Sequence, residues 1–458
     1  MENKIIFNKE VLQKAIETAK KVVKSRPVVP ILENYLLLVE PDKVSIIAGD
    51  LQNYIEVELD GGYEMRPQTK FEVLLTPDTL TFLKKMELQP LTLAAFEEFE
   101  ESYPKWTKDF EGVQIRENFY FFGGSQQERD KFLTEFDRLI RRSQARLEDE
   151  MITKEEHENN VLLTNAARAE FEALTMQTIS KGFVYTIQDD EGEAKYSSDD
   201  AQDFPKVPET SEDMYIFAPE EIGELKGLAD YMSKDETRPA MCGIHLGYNE
   251  GKLNLVATDG HVLKVVNLPA WDEAERHEQL AIIPRECVRI LNLLIKPTHA
   301  VTIRKASNEH GDIQNLSFSF ENVKVTCRNI DERYPDYWNV IPNESSTQLS
   351  FEVKPFVKLL DKTAMFANKT TKQIRLGING SLKLTAEDLD LSKEYSGVFT
   401  GSYEGKELEI GFNADYLRKV VLGFGDNVTL EMREANRAAV IREGNTLALV
   451  MPVMLSQY

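Results

Sequence analysis

The chain has 458 residues, 42% of them apolar and 29% charged, and 77 Asp and Glu outweigh 54 Lys and Arg to give a formal charge of -23. That length exceeds one comfortable core and suits three domains of ordinary size, and no 18-residue apolar run offers a membrane span. The acidity argues at first sight against nucleic acid, whose phosphates need Lys and Arg. Three widely spaced cysteines (Cys242, Cys287, Cys327) suit a reduced, cytoplasmic protein without a zinc site.

The N-terminus has no signal-peptide layout and opens on a strand, Ile5-Ile6-Phe7, followed by a helix from Lys9 to Lys24. A hairpin turning at Pro41-Asp42 then ends in Val44-Ser45-Ile46-Ile47-Ala48-Gly49-Asp50, and a second strand-to-helix unit starts at Leu75-Thr76-Pro77-Asp78. The series recurs. Tyr215-Ile216-Phe217 leads into a helix from Pro219 to Lys234, a hairpin turning at Asn249-Glu250-Gly251 ends in Leu253 to Asp259, and a second unit begins at Ile283-Pro284-Arg285-Glu286. In the third copy, Ser350-Phe351-Glu352 precedes a helix from Pro355 to Lys369. Its hairpin turns at Asn379-Gly380 and ends in Leu382 to Asp388, and Phe412-Asn413-Ala414-Asp415 opens the second unit. Each hairpin therefore ends in Ala-x-Asp, and each second helix carries an acid in its first turn, where it complements the helix dipole. Three copies of one unit make this a repeat protein.

Spacing within each copy is regular, at about 69, 67 and 61 residues from first strand to second unit. Spacing between copies is not. Copy one carries roughly 75 extra residues before residue 217. From about 98 to 181 the β-pattern yields to charged, helix-like sequence. Phe132, Phe136, Leu139, Ile140 and Leu147 recur at helical spacing, and Thr153-Lys154-Glu155-Glu156 reads as a capping box. Strand pattern returns at Phe183 to Ile187. The surplus is thus an inserted helical subdomain in a hairpin loop, and the chain divides into 1–210, 211–343 and 344–458, each α+β with antiparallel sheets covered by two helices. Arg138, Arg141, Arg142 and Arg146 lie on the insert's helix opposite its apolar face, as a solvated surface or a contact for DNA or a partner.

The six predicted helices together carry +7, leaving -30 on the rest of the chain. Such segregation suits a surface that meets a polyanion while the remainder repels it, although the Pro219–Lys234 segment is acidic.

Several motifs resemble the bacterial DNA sliding clamp, the β subunit of DNA polymerase III, over the whole chain outside the insert. They are Arg26-Pro27-Val28-Val29-Pro30-Ile31-Leu32, Ala257-Thr258-Asp259-Gly260-His261, Arg333-Tyr334-Pro335-Asp336-Tyr337, Gly411-Phe412-Asn413-Ala414-Asp415-Tyr416 and Val450-Met451-Pro452. The resemblance implies a head-to-tail homodimer, a closed ring whose helices line a hole for double-stranded DNA. It implies a processivity factor with no catalytic residue, cofactor or metal. It also implies a pocket for short peptide motifs of DNA polymerase and clamp-loader subunits: Met241, Thr258, Gly260, His261, Leu263, Pro335, Val340, Asn413, Tyr416, Met451, Pro452 and Val453. DNA contacts carried over are Arg26, then Lys20, Lys21, Lys24 and Arg238. Val262 and Met454 depart from the family pattern, each removing a cation from the expected pocket rim. Ser456-Gln457-Tyr458 extend the usual ending, and Pro239-Ala240 replace an aromatic pair.

Two other readings stay open. Asp50, Asp259 and Asp388 could hold Mg²⁺ in a nuclease, although three repeats would set them far apart. A clamp-like scaffold that no longer encircles DNA would share the fold. No G-x-x-x-x-G-K-[ST] phosphate loop is present.

Overall fold

The computed structural model describes residues 3–66, 69–87, 90–109, 118–121, 124–249, 251–269, 278–389 and 391–455. Glu250 of the second predicted hairpin turn, residues 110–117 of the insert and the terminal Ser456-Gln457-Tyr458 lie outside the described residues. The chain forms two compact units: Met1–Val11 with Leu36–Asp42 and Gly62–Phe204, and Leu12–Tyr35 with Lys43–Gly61 and Pro205–Tyr458.

Eight α-helices are described: α1 (Lys9–Ala19), α2 (Pro77–Leu83), α3 (Gln126–Glu148), α4 (Lys154–Glu172), α5 (Ile222–Gly227), α6 (Arg285–Leu294), α7 (Val353–Ala364) and α8 (Ala414–Leu422). The three expected long first helices are all shorter. α1 stops at Ala19 and tightens into a 3-10 turn, Lys20–Val22, so Lys20, Lys21, Lys24 and Arg26 lie beyond the α-helix. Paired β-branched Val22-Val23 with no glycine stop favour that frayed end. Pro219–Lys234 is not one helix. A 3-10 turn (Pro219–Glu221), α5 and another 3-10 turn (Ala229–Tyr231) divide it, because Gly223 and Gly227 each weaken a helix by roughly 1 kcal/mol. α7 begins two residues before Pro355 and ends at Ala364.

In the first unit a five-stranded antiparallel sheet runs Glu193–Ser198, Gln177–Gln188, Pro90–Ser102, Asn3–Asn8, Tyr63–Met65. Its inward residues include Ile5, Phe7, Leu93 and Tyr185, all buried. The Tyr185 hydroxyl accepts the Thr76 N–H at 3.0 Å and bonds the Thr79 hydroxyl at 2.6 Å, anchoring the start of α2.

The insert is entered through paired strands rather than loops. Ser102 stands opposite Gln177 and Thr92 opposite Gln188, whereas Asn3–Asn8 reaches only Ala95 and Glu193–Ser198 only Phe183. Residues 97–102 and 177–182 are therefore a two-stranded stalk, with a bulge between Ser180 and Gly182 where Gly182 takes φ +125°. The expected bounds of 98 and 181 were too wide by this stalk, whose acidic, non-alternating outer residues hid its strand character. Beyond it sit a short hairpin (Trp106–Asp109 with Asn118–Phe121) and the pair α3 and α4. Both helices open with the reciprocal Ser125/Glu128 and Thr153/Glu156 caps. Phe136, Leu139, Ala167 and Phe171 are buried with Phe121 and Tyr103, so the helical apolar spacing in the sequence did mark a core. Arg138, Arg141 and Arg142 lie exposed on α3.

The second unit contains the other repeats. Six consecutively paired strands run Glu212–Phe217, Val301–Ser307, Ile313–Phe320, Val323–Arg328, Asn53–Glu58, Lys43–Gly49. A nine-stranded sheet includes Val262–Pro269 paired with Thr446–Val450, and a four-stranded sheet runs Lys393–Val398, Leu382–Asp388, Gln373–Ile378, Leu408–Asn413. One rule joins successive repeats: the strand after an Ala-x-Asp signature pairs with the last strand of the next repeat. Asn53 faces Cys327 and Val262 faces Val450. Even the flanking bonds recur, since Arg328 N–H reaches Gln52 O at 2.9 Å and Met451 N–H reaches His261 O at 2.8 Å.

Candidate functional site, a groove between the second and third repeats

The signature aspartates end hairpins. Asp50 Oδ1 accepts the N–H of Gln52 and Asn53, and Asp259 Oδ1 accepts those of His261 and Val262, both at 2.9 Å. Asp388 ends its strand, buried and opposite Lys393. The second turn needs a left-handed residue, and Gly260 supplies it at φ +86°. The first repeat puts Leu51 there at φ +76°, at a cost of about 1–2 kcal/mol. Thr258 Oγ1 donates to Val262 O at 2.7 Å and accepts the Gly260 N–H at 3.1 Å, closing the turn beneath His261.

His261 is thereby presented to the third repeat. Its ring stacks on Tyr416, with centroids 4.9 Å apart and planes 17° from parallel. Tyr416 is aimed by the start of α8, where Asn413 Oδ1 accepts the Asp415 N–H at 3.0 Å and Asn413 Nδ2 donates to Thr371 O at 2.9 Å. Burial raises the Tyr416 pKa, with Asp259 and Asp415 adding to it. The last strand leaves alongside: Val453 N–H donates to Gly411 O at 2.8 Å. Gly411 permits this approach, since a Cβ there would stand 2.5 Å from Val453 O.

The expected pocket residues thus fall in two groups. Met241, Thr258 and Leu263 are buried and form a floor; Asn413 is a cap. His261, Tyr416, Pro335, Val340, Met451, Pro452 and Val453 keep exposed or half-exposed surface above it. Leu263 belongs to an apolar cluster with Val256, Tyr334, Tyr337, Val440 and Leu449, against which Ala240, Trp338 and Met451 pack. A Cβ on Gly260 would lie 3.8 Å from Arg238 Nη1 and 3.9 Å from Met241 Cε, so Arg238 sits on this rim. Ala240 faces the apolar cluster where the sequence left its role unassigned. Val262 is not on the rim. It is fully buried opposite Val450 and adds nothing to the rim surface; Met454, 74% exposed, is at the surface.

His261, Tyr416 and Arg238 also line a cavity of about 1290 Å³ shared with Tyr231, Lys264 and Lys419. These last three were missed. Only the Tyr416-to-Lys419 spacing of three, which puts both on one face of α8, signalled any of them. Of the expected DNA contacts, Lys20, Lys21, Lys24 and Arg26 are exposed, and Lys24 Nζ lies 2.8 Å from the buried Asp50 carboxylate. Arg289, also missed, donates to Lys21 O at 3.1 Å. Among the described residues no group of three His, Cys, Asp or Glu side chains is placed to hold a metal.

Behind the floor, His245 stacks on Tyr334 at 4.8 Å, and burial pulls its pKa down to about 4 from 6.5. The unfolded chain therefore binds a proton at higher pH than the folded one. This contribution is intact above pH 6.5 and is lost as pH falls toward 4, so lowering pH from 7 to 5 should cost at most about 2 kcal/mol at this site. Urea titrations at both pH values check it: His245→Phe should flatten the dependence by that amount, and an unchanged slope would refute the assignment.

Comparison with known proteins agrees with this architecture. Three successive family models match: DNA polymerase III beta subunit N-terminal domain over residues 3–101, central domain over 228–336 and C-terminal domain over 338–454. The beta sliding clamp of Vibrio cholerae is 26% identical over 266 residues, covering 56% of this chain and 69% of that protein. That of Caulobacter vibrioides is 30% identical over 198 residues, covering 41% of this chain and half of its own. The sliding clamp structure from Bacillus subtilis superposes with a TM-score of 0.72 at 17% identity, covering 100% of both chains. A Pseudomonas aeruginosa clamp bound to griselimycin gives 0.69 at 20% identity, covering 99% of this chain and 100% of that one. With three clamp domains in order, antiparallel sheets backed by short helices and a junction rule shared between repeats, the chain belongs to the DNA polymerase III beta subunit family of bacterial sliding clamps.

Proposed function

We propose that the chain acts as a ring-shaped homodimer that encircles duplex DNA and tethers a DNA polymerase, and in turn a clamp loader, by short peptide segments held in the groove at His261 and Tyr416. One observation supports the ring most directly. Among the described residues the strand after the third signature, Lys393–Val398, pairs only with Leu382–Asp388 and forms the edge of its sheet. The last strand of the first repeat, Glu193–Ser198, is likewise an edge, paired among the described residues only with Gln177–Gln188. Extending the junction rule to a second copy joins one edge to the other, and two chains of three domains then close with neither of these two edges left open.

The domains would be 1–210, 211–343 and 344–458, with DNA meeting Arg26, Lys20, Lys21, Lys24 and Arg238. Sparse contacts of this kind favour sliding over grip, since phosphate contacts carry no sequence information. The partner surface is the groove with its buried floor of Met241, Thr258 and Leu263 and its rim of Pro335, Val340, Met451, Pro452 and Val453. Griselimycin, bound by the P. aeruginosa relative, is a ready probe of it. A cytoplasmic setting suits the three free cysteines, and no helix among the described residues is long and apolar enough to cross a membrane.

Topological retention tests the reading. Loaded onto nicked circular DNA by a clamp loader, the protein should stay bound through high salt and fall off when the circle is cut. Release from the intact circle, or a monomer at micromolar concentration, would refute the ring.

A further inference from the structure

We propose that Lys419 is a positioning residue of the peptide groove, whose ammonium fixes the His261–Tyr416 stack from behind; this rests on the groove being the partner site. Lys419 follows Tyr416 by three residues on α8, so the two side chains share a face. Its Nζ lies 5.7 Å from the Tyr416 ring centroid and 5.8 Å from that of Tyr231, and 3.5 Å from Asp259 Oδ2. One cation therefore touches both repeats. Tyr231 and Asp259 come from the second, Tyr416 from the third.

Asp259 makes this contact consequential. Its Oδ1 already holds the N–H groups of His261 and Val262 at 2.9 Å, so the carboxylate that shapes the turn is the one Lys419 anchors. The chain of contacts is continuous: Lys419 to Asp259, Asp259 to the His261 backbone, the His261 ring to Tyr416, and Tyr416 back to Lys419. His261 stacks on Tyr416 while its side chain stays 61% exposed. Without the ammonium, Asp259 and the electron-rich faces of Tyr231 and Tyr416 would lose their common counter-charge.

Lys419 is also well placed to act through geometry and not by touching the peptide. Its side chain is 29% exposed and lies on the charged side of the stack, among Asp230, Asp259 and Asp415, the last of which pairs with Lys372. Tyr231, from the opposite repeat, aims its hydroxyl at Lys419 O at 3.5 Å. A cation that orders both walls of a groove limits its width, and preorganised walls bind more tightly than mobile ones.

The test uses the full chain and griselimycin. Lys419→Met, which keeps the apolar stem, should weaken griselimycin binding roughly 3- to 10-fold, and Lys419→Arg should restore it. The His261 ring-proton shifts, displaced by the Tyr416 face, should move toward free-imidazole values in the Met variant and return in the Arg variant. Equal affinity and unmoved shifts in Lys419→Met would overturn the assignment. Failure of the unaltered chain to bind griselimycin would instead count against the groove itself.

Discussion

Val398→Asp should convert the proposed dimer into monomers at micromolar concentration and abolish retention on circular DNA. Val398 is an apolar side chain, 67% exposed at the end of the edge strand Lys393–Val398. In the proposed ring that edge meets Glu193–Ser198 of the second copy, and a carboxylate placed there must be desolvated without a partner. Burying a polar group without a partner costs roughly 2 kcal/mol or more, and a charge more still, so dissociation should become at least about 30-fold easier. Sedimentation equilibrium of the two proteins, with Val398→Ala as a milder control, reads this out. Because the proposed ring would close through two such junctions, weakening one surface would weaken both. A Val398→Asp protein that remains dimeric at low micromolar concentration would refute edge-to-edge closure.

Phe171→Ala should melt the inserted subdomain while leaving the rest of the chain folded. Phe171 is fully buried, with ring centroids at 5.2 Å from Trp106, 5.1 Å from Phe121 and 4.9 Å from Phe132. Truncating such a residue costs about 3–5 kcal/mol. A subdomain of that size has little surplus stability. The stalk strands should survive, since the inner part of Pro90–Ser102 is paired on both sides, to Asn3–Asn8 and to Gln177–Gln188. Amide exchange is the measurement. Protection should vanish over α3 and α4 and persist over 91–95 and 183–187; simultaneous loss in both would mean that the insert is integral to the first domain.

How far the chain could be read from sequence follows from range. Turns and helix starts are local, so Ala-x-Asp, the Thr153 capping box and the strand-helix order were legible. The stalk was not, because Glu97, Glu98 and Glu101 break the alternation that marks a half-buried strand. The Pro219–Lys234 segment misled because its apolar spacing outweighed two glycines. In the site, His261, Tyr416 and Met451 came from motifs and do converge. Lys419, Tyr231 and Arg289 act through partners more than a hundred residues away, and a single sequence carries no sign of such pairs.

The shared backbone of the two junctions bears on valency. At the first junction Arg328, Asn329 and Ile330 stand where Met451, Pro452 and Val453 stand at the second, and Ile330 N–H meets Ile282 O at 3.2 Å as Val453 meets Gly411. Yet Asn329 spends its amide on Ile282 N–H and Ile313 O, and Tyr54 covers Gly49 so closely that a Cβ there would be 2.4 Å from its ring. The same frame is thus plugged once and open once. Of the two junctions within the described chain only one is open, so in the proposed two-chain ring these junctions would hold two partners and not four.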